Sequence, residues 1–223
     1  VAPDANALRD AELVIFDWDG TLYRSIDLIQ TSIVAAGHEL GAEVSSEIAR
    51  SIIGLGLKAA QKLLFPDKSD NDKAFFTAFH LAYRRHYEAG EAAIELYAGA
   101  YELIAALDAQ GRRVAVATAK SRAGINRSLE TTGLGAFVRH TRTPEECLPK
   151  PHPQMILEIL TESGFAAGQA VMVGDTTHDL QMAINAGVAG VGISHGAHSH
   201  EDLAALNVAA VCRSIAELRQ VIA

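Results

Sequence analysis

The sequence predicts an α/β protein: a parallel sheet covered by helices on both faces, with a helical segment inserted after the first strand. Three observations carry this expectation. Through the second half of the chain, short apolar runs alternate with helical patterns, which implies parallel strands joined by crossover helices. Several of those helical patterns stop at a glycine: Gly111, Gly133, Gly164 and Gly187. Residues 23–91, by contrast, contain no convincing strand.

Val14-Ile15-Phe16 is a short buried strand that runs into Asp17-Trp18-Asp19-Gly20-Thr21-Leu22. Ile26, Ile29, Ile33 and Val34 then fall on helical spacing, interrupted by Gly37 and Gly41. Ile48, Ile52 and Ile53 follow, with a loop at Pro66 and Asp67, and then Phe75, Phe76, Phe79 and Tyr83. These are several short helices. Helix 101–110 precedes a strand at 114–118, helix 122–132 a strand at 137–140, and helix 154–163 a strand at 170–173. Helix 180–186 precedes a strand at 190–193. A strand at 209–211 and a helix at 215–221 close the pattern.

Hydrophobic residues make up 49% of the chain and charged residues 21%, which suits a globular core. The net charge of −8 argues against nucleic acid as a partner, because phosphate backbones need a basic surface. No apolar run is long enough to span a bilayer, so no membrane partner is expected. Cys147 and Cys212 lack metal-type spacing and read as reduced thiols of a cytoplasmic protein. Residues 1–10 lack a basic-then-apolar signal pattern. The sequence starts at Val1 and not at Met, which leaves a removed leader open.

Ligands of open α/β sheets bind outside the carboxyl ends of the strands. Four such ends carry polar groups here. They are Asp17 and Asp19, then Thr118-Ala119-Lys120, then Lys150, then Gly174-Asp175 with Asp179. Two carboxylates as close as Asp17 and Asp19 repel unless a cation or proton is shared. Convergent carboxylates without His or Cys at ligand spacing suit a hard cation such as Mg²⁺. A carboxylate, with a reference pKa of about 4, is ionised at neutral pH and can attack phosphorus without an activating base. Mg²⁺ and Lys150 would supply the local positive charge, and Thr118 can bond a phosphoryl oxygen. Asp19 can protonate a leaving oxygen and then deprotonate water. Phosphoryl transfer through an aspartyl-phosphate uses all of these parts.

Asp17-Trp18-Asp19-Gly20-Thr21-Leu22 resembles the first signature of haloacid dehalogenase-like hydrolases. Thr118, Lys150 and Gly174-Asp175-(three residues)-Asp179 resemble the other three, in the expected order. The resemblance implies a Rossmann-like core (1–22 and 94–223) and a helical cap (23–93). It implies Asp17 as nucleophile and Asp19 as acid/base. It implies metal held by the Asp17 carboxylate, the Asp19 backbone carbonyl and Asp175, with Asp179 nearby. Within that superfamily the chain looks most like phosphoglycolate phosphatases. Gly54-Leu55-Gly56 resembles the small-residue loop that this group lowers over its site. Expected substrate contacts are then Thr118, Ala119, Lys150, Gly54, Leu55 and Gly56.

One departure is Arg24, where relatives commonly carry an acid. It either binds a second anionic group of the substrate or is a solvated hinge residue. Lys120 either adds charge near the phosphate or opens the next helix at the surface, with the surface position favoured. His178 is expected to be structural. His195, His198 and His200 are expected in a polar loop and not at a zinc site. The run Tyr83–His86 is expected on a solvated helix face. The leading expectation is a Mg²⁺-dependent phosphatase acting on a small phosphorylated metabolite, phosphoglycolate-like by resemblance. A β-phosphoglucomutase-type mutase, a metal-free dehalogenase and a non-catalytic binding protein are the alternatives. Oligomeric state is not encoded.

Overall fold

The computed structural model describes residues 8–69 and 71–223. Among them, β1 (Leu13–Phe16), β2 (Arg113–Ala117), β3 (Val138–Arg142), β4 (Ala170–Gly174), β5 (Ala189–Ile193) and β6 (Ala210–Cys212) form one parallel sheet. Their spatial order is β3-β2-β1-β4-β5-β6. Strand order therefore reverses at β1, and the crevice at such a switch point, between β1 and β4, is where open sheets of this type bind ligands. In register, Phe16 sits between Val116 and Val173.

β1 is buried on both faces because its alternating side chains enter two different cores. Val14 and Phe16 pack with Leu103, Ile104 and Leu107 of α5 (Ala100–Ala109), with Ile125 of α6 (Arg122–Thr132), and with Leu218 of α10 (Ile215–Ile222). Leu13 and Ile15 pack on the other face with Met155, Ile156 and Ile159 of α7 (Gln154–Ser163) and Met182 of α8 (Thr177–Ala186). Each such side chain contributes about 1.5–3 kcal/mol through burial. Gly133, Gly164 and Gly187 close α6, α7 and α8 in the left-handed conformation, as the sequence predicts.

Between β1 and α5 lie α1 (Ile26–Glu39), α2 (Ser46–Ser51), α3 (Leu57–Leu64) and α4 (Lys73–Glu91). They share a third apolar cluster around Ile33, Phe65, Phe76 and Phe79, joined by Ala197 from the sheet-bearing part. The two chain crossings into this helical part run side by side. Arg24 N–H donates to Glu95 O at 3.0 Å and Tyr97 N–H to Leu22 O at 2.9 Å.

Gly37 does not interrupt α1. It packs so close to Val44 that an added Cβ would lie 2.8 Å from Val44 Cγ2, so tertiary contact overrides the weak helix propensity of glycine. α8 starts three residues earlier than expected, at Thr177, which brings Asp179 into its first turn. A short helix, α9 (His200–Ala204), follows the His-rich stretch and was not expected. No helix among the described residues is long and apolar enough to cross a membrane.

Candidate active site

The switch point gathers three carboxylates and one ammonium group. Asp17 follows β1, and its N–H donates to Val173 O at 2.9 Å, which seats it beside the end of β4. Asp17, Asp175 and Asp179 offer oxygens within 4.8 Å of one another, and all three are buried. Lys150 Nζ donates to Asp17 Oδ1 and to Asp179 Oδ1, both at 2.6 Å. Asp175 accepts from Thr21 Oγ1 at 2.9 Å and from Ala197 N–H at 2.7 Å. Asp179 Oδ2 accepts from Thr176 N–H and Oγ1, at 3.0 and 2.6 Å, while Thr176 Oγ1 accepts from Asp179 N–H. That reciprocal capping box at the start of α8 fixes the Asp179 carboxylate. Gly174 leaves the room, since a Cβ there would lie 2.2 Å from Asp179 Cβ.

One ammonium cannot balance three buried carboxylates. Burial pushes the Asp17 carboxyl up to about 7, with Asp179 and Asp19 adding to the rise and Lys150 opposing it. Burial, then Asp17 and Asp179, push Asp175 well above the usual carboxylate range. Burial works against the Lys150 ammonium, but Asp17 and Asp179 outweigh it and raise its pKa. With all four groups ionised the cluster carries an excess of two negative charges. Hard oxygen donors around such an excess fit a divalent cation such as Mg²⁺.

Asp19 points elsewhere. Its carboxylate accepts from Ser25 Oγ at 2.7 Å and from Lys120 Nζ at 3.2 and 3.4 Å. Lys120 also donates to the Tyr87 hydroxyl at 2.7 Å, and its side chain is 7% exposed. The surface position expected for Lys120 is thus corrected. Ser121 is the N-cap of α6, so Lys120 precedes the helix; its N–H donates to Thr118 Oγ1 at 3.1 Å and its side chain folds into the crevice. The capping serine was the sequence signal that could have found it.

Above these groups lies a cavity of about 490 Å³. Asp17, Asp19, Thr118, Ala119 and Lys120 line it from the sheet, and Gly54 and Gly56 from the helical part. Gly54 (φ +94°) reaches the end of β4: an added Cβ would lie 2.8 Å from Thr176 Oγ1. Leu55 and Lys150, two of the expected substrate contacts, do not line the cavity, and neither does Arg24, for which a substrate contact is one of two expectations. Arg24 is exposed, its guanidinium 5.9 Å from the Tyr97 ring centroid. Tyr23 pairs inward with Leu96, so its neighbour Arg24 faces out. Asp175 and Asp179 also stay out of the cavity wall. Of the run Tyr83–His86, Tyr83 and Arg84 face the cavity, whereas Arg85 and His86 bind Glu39.

The His-rich stretch works mainly through its backbone. The His195 ring stacks on Tyr97 at 3.7 Å, with Nε2 3.0 Å from Thr21 O. His198 Nδ1 accepts from Thr177 N–H at 3.1 Å, and its ring meets that of His178 edge-on at 5.6 Å. Burial lowers the pKa of all three rings. Between them, Arg50 of α2 donates to Gly196 O at 2.6 Å and to Ala197 O at 3.1 Å. Ala197 N–H, as noted, holds Asp175. The loop therefore ties the helical part to the carboxylate cluster. A Cβ at Gly196 would lie 2.1 Å from Asp175 Oδ2. Gly196→Ala is expected to lower stability by about 1–3 kcal/mol, the usual cost of overpacking, and to weaken divalent-cation binding. Thermal unfolding with and without Mg²⁺ checks both.

An α/β fold whose switch point gathers three buried carboxylates and a lysine under a cavity places the chain among carboxylate-centred hydrolases. Residues 14–193 match the family model described as haloacid dehalogenase-like hydrolase. The chain is 33% identical over 210 residues to "Probable phosphatase IndB" of Dickeya dadantii, covering 92% of this chain and 91% of that protein. It is 31% identical over 221 residues to a phosphoglycolate phosphatase of Rhodospirillum rubrum, covering 92% and 88%. A crystal structure of a hydrolase from Pseudomonas syringae superposes with a TM-score of 0.83 at 21% identity, over 93% of this chain and 95% of that one, a likeness of fold. The chain belongs to the haloacid dehalogenase-like hydrolase family.

Proposed function

We propose that the protein is a Mg²⁺-dependent phosphatase that hydrolyses a small phosphomonoester through an aspartyl-phosphate on Asp17. The observation that carries this reading is the division of labour among the carboxylates. Asp17 and Asp19 face the cavity, while Lys150 holds Asp17 from outside it and Asp175 and Asp179 lie beside Asp17. The names of the Dickeya and Rhodospirillum relatives support the same chemistry.

Asp17, Asp175 and the Asp19 backbone carbonyl would hold the metal, with Asp179 fixing Lys150 beside it. A bound Mg²⁺ supplies Lewis acidity toward a phosphoryl oxygen and offsets the negative charge of the cluster. The Asp17 carboxylate forms the bond to phosphorus as the ester P–O bond breaks. Asp19 gives its proton to the departing alcohol oxygen. Thr118, its backbone bonded to Arg142 O at 3.0 Å, and the Ala119 backbone bind phosphoryl oxygens. Asp19 then takes a proton from water, which cleaves the aspartyl-phosphate and restores Asp17. Lys120, 3.2 Å from Asp19, keeps that carboxylate aimed at the cavity.

The test is inorganic phosphate release from small phosphorylated metabolites, with Mg²⁺ and with chelator. Isomerised sugar phosphate in place of inorganic phosphate would replace the phosphatase by a mutase. Asp19→Asn is expected to slow turnover by about 10²–10⁴-fold, the range of general acid–base catalysis. A full-rate Asp19→Asn enzyme would remove its proton-transfer role.

A further inference from the structure

We propose that the leaving group is an uncharged, ring-bearing alcohol of nucleoside size with a hydrogen-bond donor, and not a compact acid. The inference rests on the phosphatase reading and concerns the part of the cavity beyond the phosphate. Clefts of ~300–1,000 Å³ bury whole organic ligands, and the volume here, about 490 Å³, falls in that range. Its upper wall is apolar: Ile29, Ile33, Ile52 and Ile53 face Tyr83 and Tyr87. The two tyrosine rings stack at 5.9 Å with 29° between planes, and the Tyr87 hydroxyl is already engaged by Lys120. A glycolate carboxylate or a second phosphate pressed against that wall would lose its water without gaining a partner.

The cations of the wall are already matched. Arg84 lies 2.8 Å from Glu88, Arg127 lies 3.1 Å from Glu91 and 3.5 Å from Glu88, and Lys120 lies 3.2 Å from Asp19. Lys58, exposed at the rim, is the lining cation without a carboxylate partner among the described residues. Two lining atoms are buried and without a hydrogen-bond partner: Glu91 Oε1 and His80 Nε2. Glu91 Oε1 is 3.9 Å from Lys120 Nζ, too far for a hydrogen bond. A carboxylate oxygen only accepts, so it calls for an O–H or N–H on the ligand. An apolar wall, neutralised cations and a free buried acceptor together select a neutral alcohol with a ring and a donor.

Phosphate release with Mg²⁺ is measured for uridine 5′-monophosphate, 4-(hydroxymethyl)benzyl phosphate, 2-phosphoglycolate and pyrophosphate. Expected is a kcat/KM at least tenfold higher for each of the first two than for either acidic substrate. An acidic substrate that matches or exceeds either of the first two overturns the inference. Glu91→Gln, which frees Arg127 and removes the anionic acceptor, should narrow the uridine monophosphate to phosphoglycolate ratio at least threefold; an unchanged ratio counts against the acceptor. Calorimetric binding of the same four compounds to Asp17→Asn separates the two readings. Selective binding of the neutral-alcohol esters without wild-type turnover sinks the phosphatase and keeps the selectivity. Turnover that favours the acids does the reverse, and absence of both binding and turnover overturns both.

Discussion

Asp17→Asn is expected to lose Mg²⁺-dependent phosphate release by more than about 10⁴-fold, on the scale that losing a nucleophile costs when catalytic groups act as a unit. Its fold should persist. Burial raises the Asp17 carboxyl from 3.8 to about 7, so the native state of the metal-free protein disfavours the ionised form. The sign follows from linkage. A carboxyl whose pKa is higher folded than unfolded costs stability once pH exceeds the unfolded value, and the loss grows until pH passes the folded one. Metal-free wild type should therefore lose stability between about pH 4 and pH 7 on account of this group. The amide that replaces the carboxyl cannot ionise, so the variant should lose less over that window and match or exceed the metal-free wild type at pH 8. Mg²⁺ should stabilise the wild type at pH 8, by about 2.7 kcal/mol at a hundred times its dissociation constant, and the variant far less. Thermal unfolding across pH, with Mg²⁺ or chelator, measures all of this. An Asp17→Asn protein that still turns over at the wild-type rate would end the covalent mechanism.

Lys150→Met is expected to be the most destabilising single change in the cluster. The ammonium is fully buried and bonded to two carboxylates at 2.6 Å. Removing one partner of a buried ion pair typically costs about 3–5 kcal/mol, because the charge left behind stays buried. For a chain of this length that is roughly 6–20 °C in unfolding temperature. The loss should shrink as pH falls and Asp17, whose carboxyl burial raises to about 7, takes up its proton. It should also be non-additive: in an Asp17→Asn background one of the stranded charges is gone, so Lys150→Met costs less there. Equal costs in both backgrounds would mean that Lys150 does not act through Asp17. Activity should fall with stability, since Asp17 loses the group that aims it.

The strand tips were legible because each is announced by local chemistry. β1 and β4 end where an apolar run meets Asp17 and Gly174-Asp175, and the sequence needs no tertiary information for that. The parts that were not legible depend on direction or on backbone. Lys120 is two residues past Thr118, and only the N-cap at Ser121 decides that it belongs to the loop. Arg24 faces solvent because Tyr23 took the inward position. The histidine stretch drew attention through its side chains, yet the group that touches the cluster is the Ala197 N–H. Gly37 reads as a helix breaker in isolation and is a packing contact in the fold.

The hydrogen bond from Thr21 to Asp175 joins residues 154 positions apart. During synthesis the first strand and Asp17 leave the ribosome long before β4 exists. Until β4 docks beside β1, Asp17 has neither Asp175 nor Asp179 near it. A nascent chain, or any fragment that stops short of residue 179, therefore holds Asp17 outside the full carboxylate cluster. The cluster is complete only when this long-range pairing closes, and non-local pairings of this kind form slowly. Divalent-cation binding, followed during refolding, is therefore expected to report the docking of β4 beside β1.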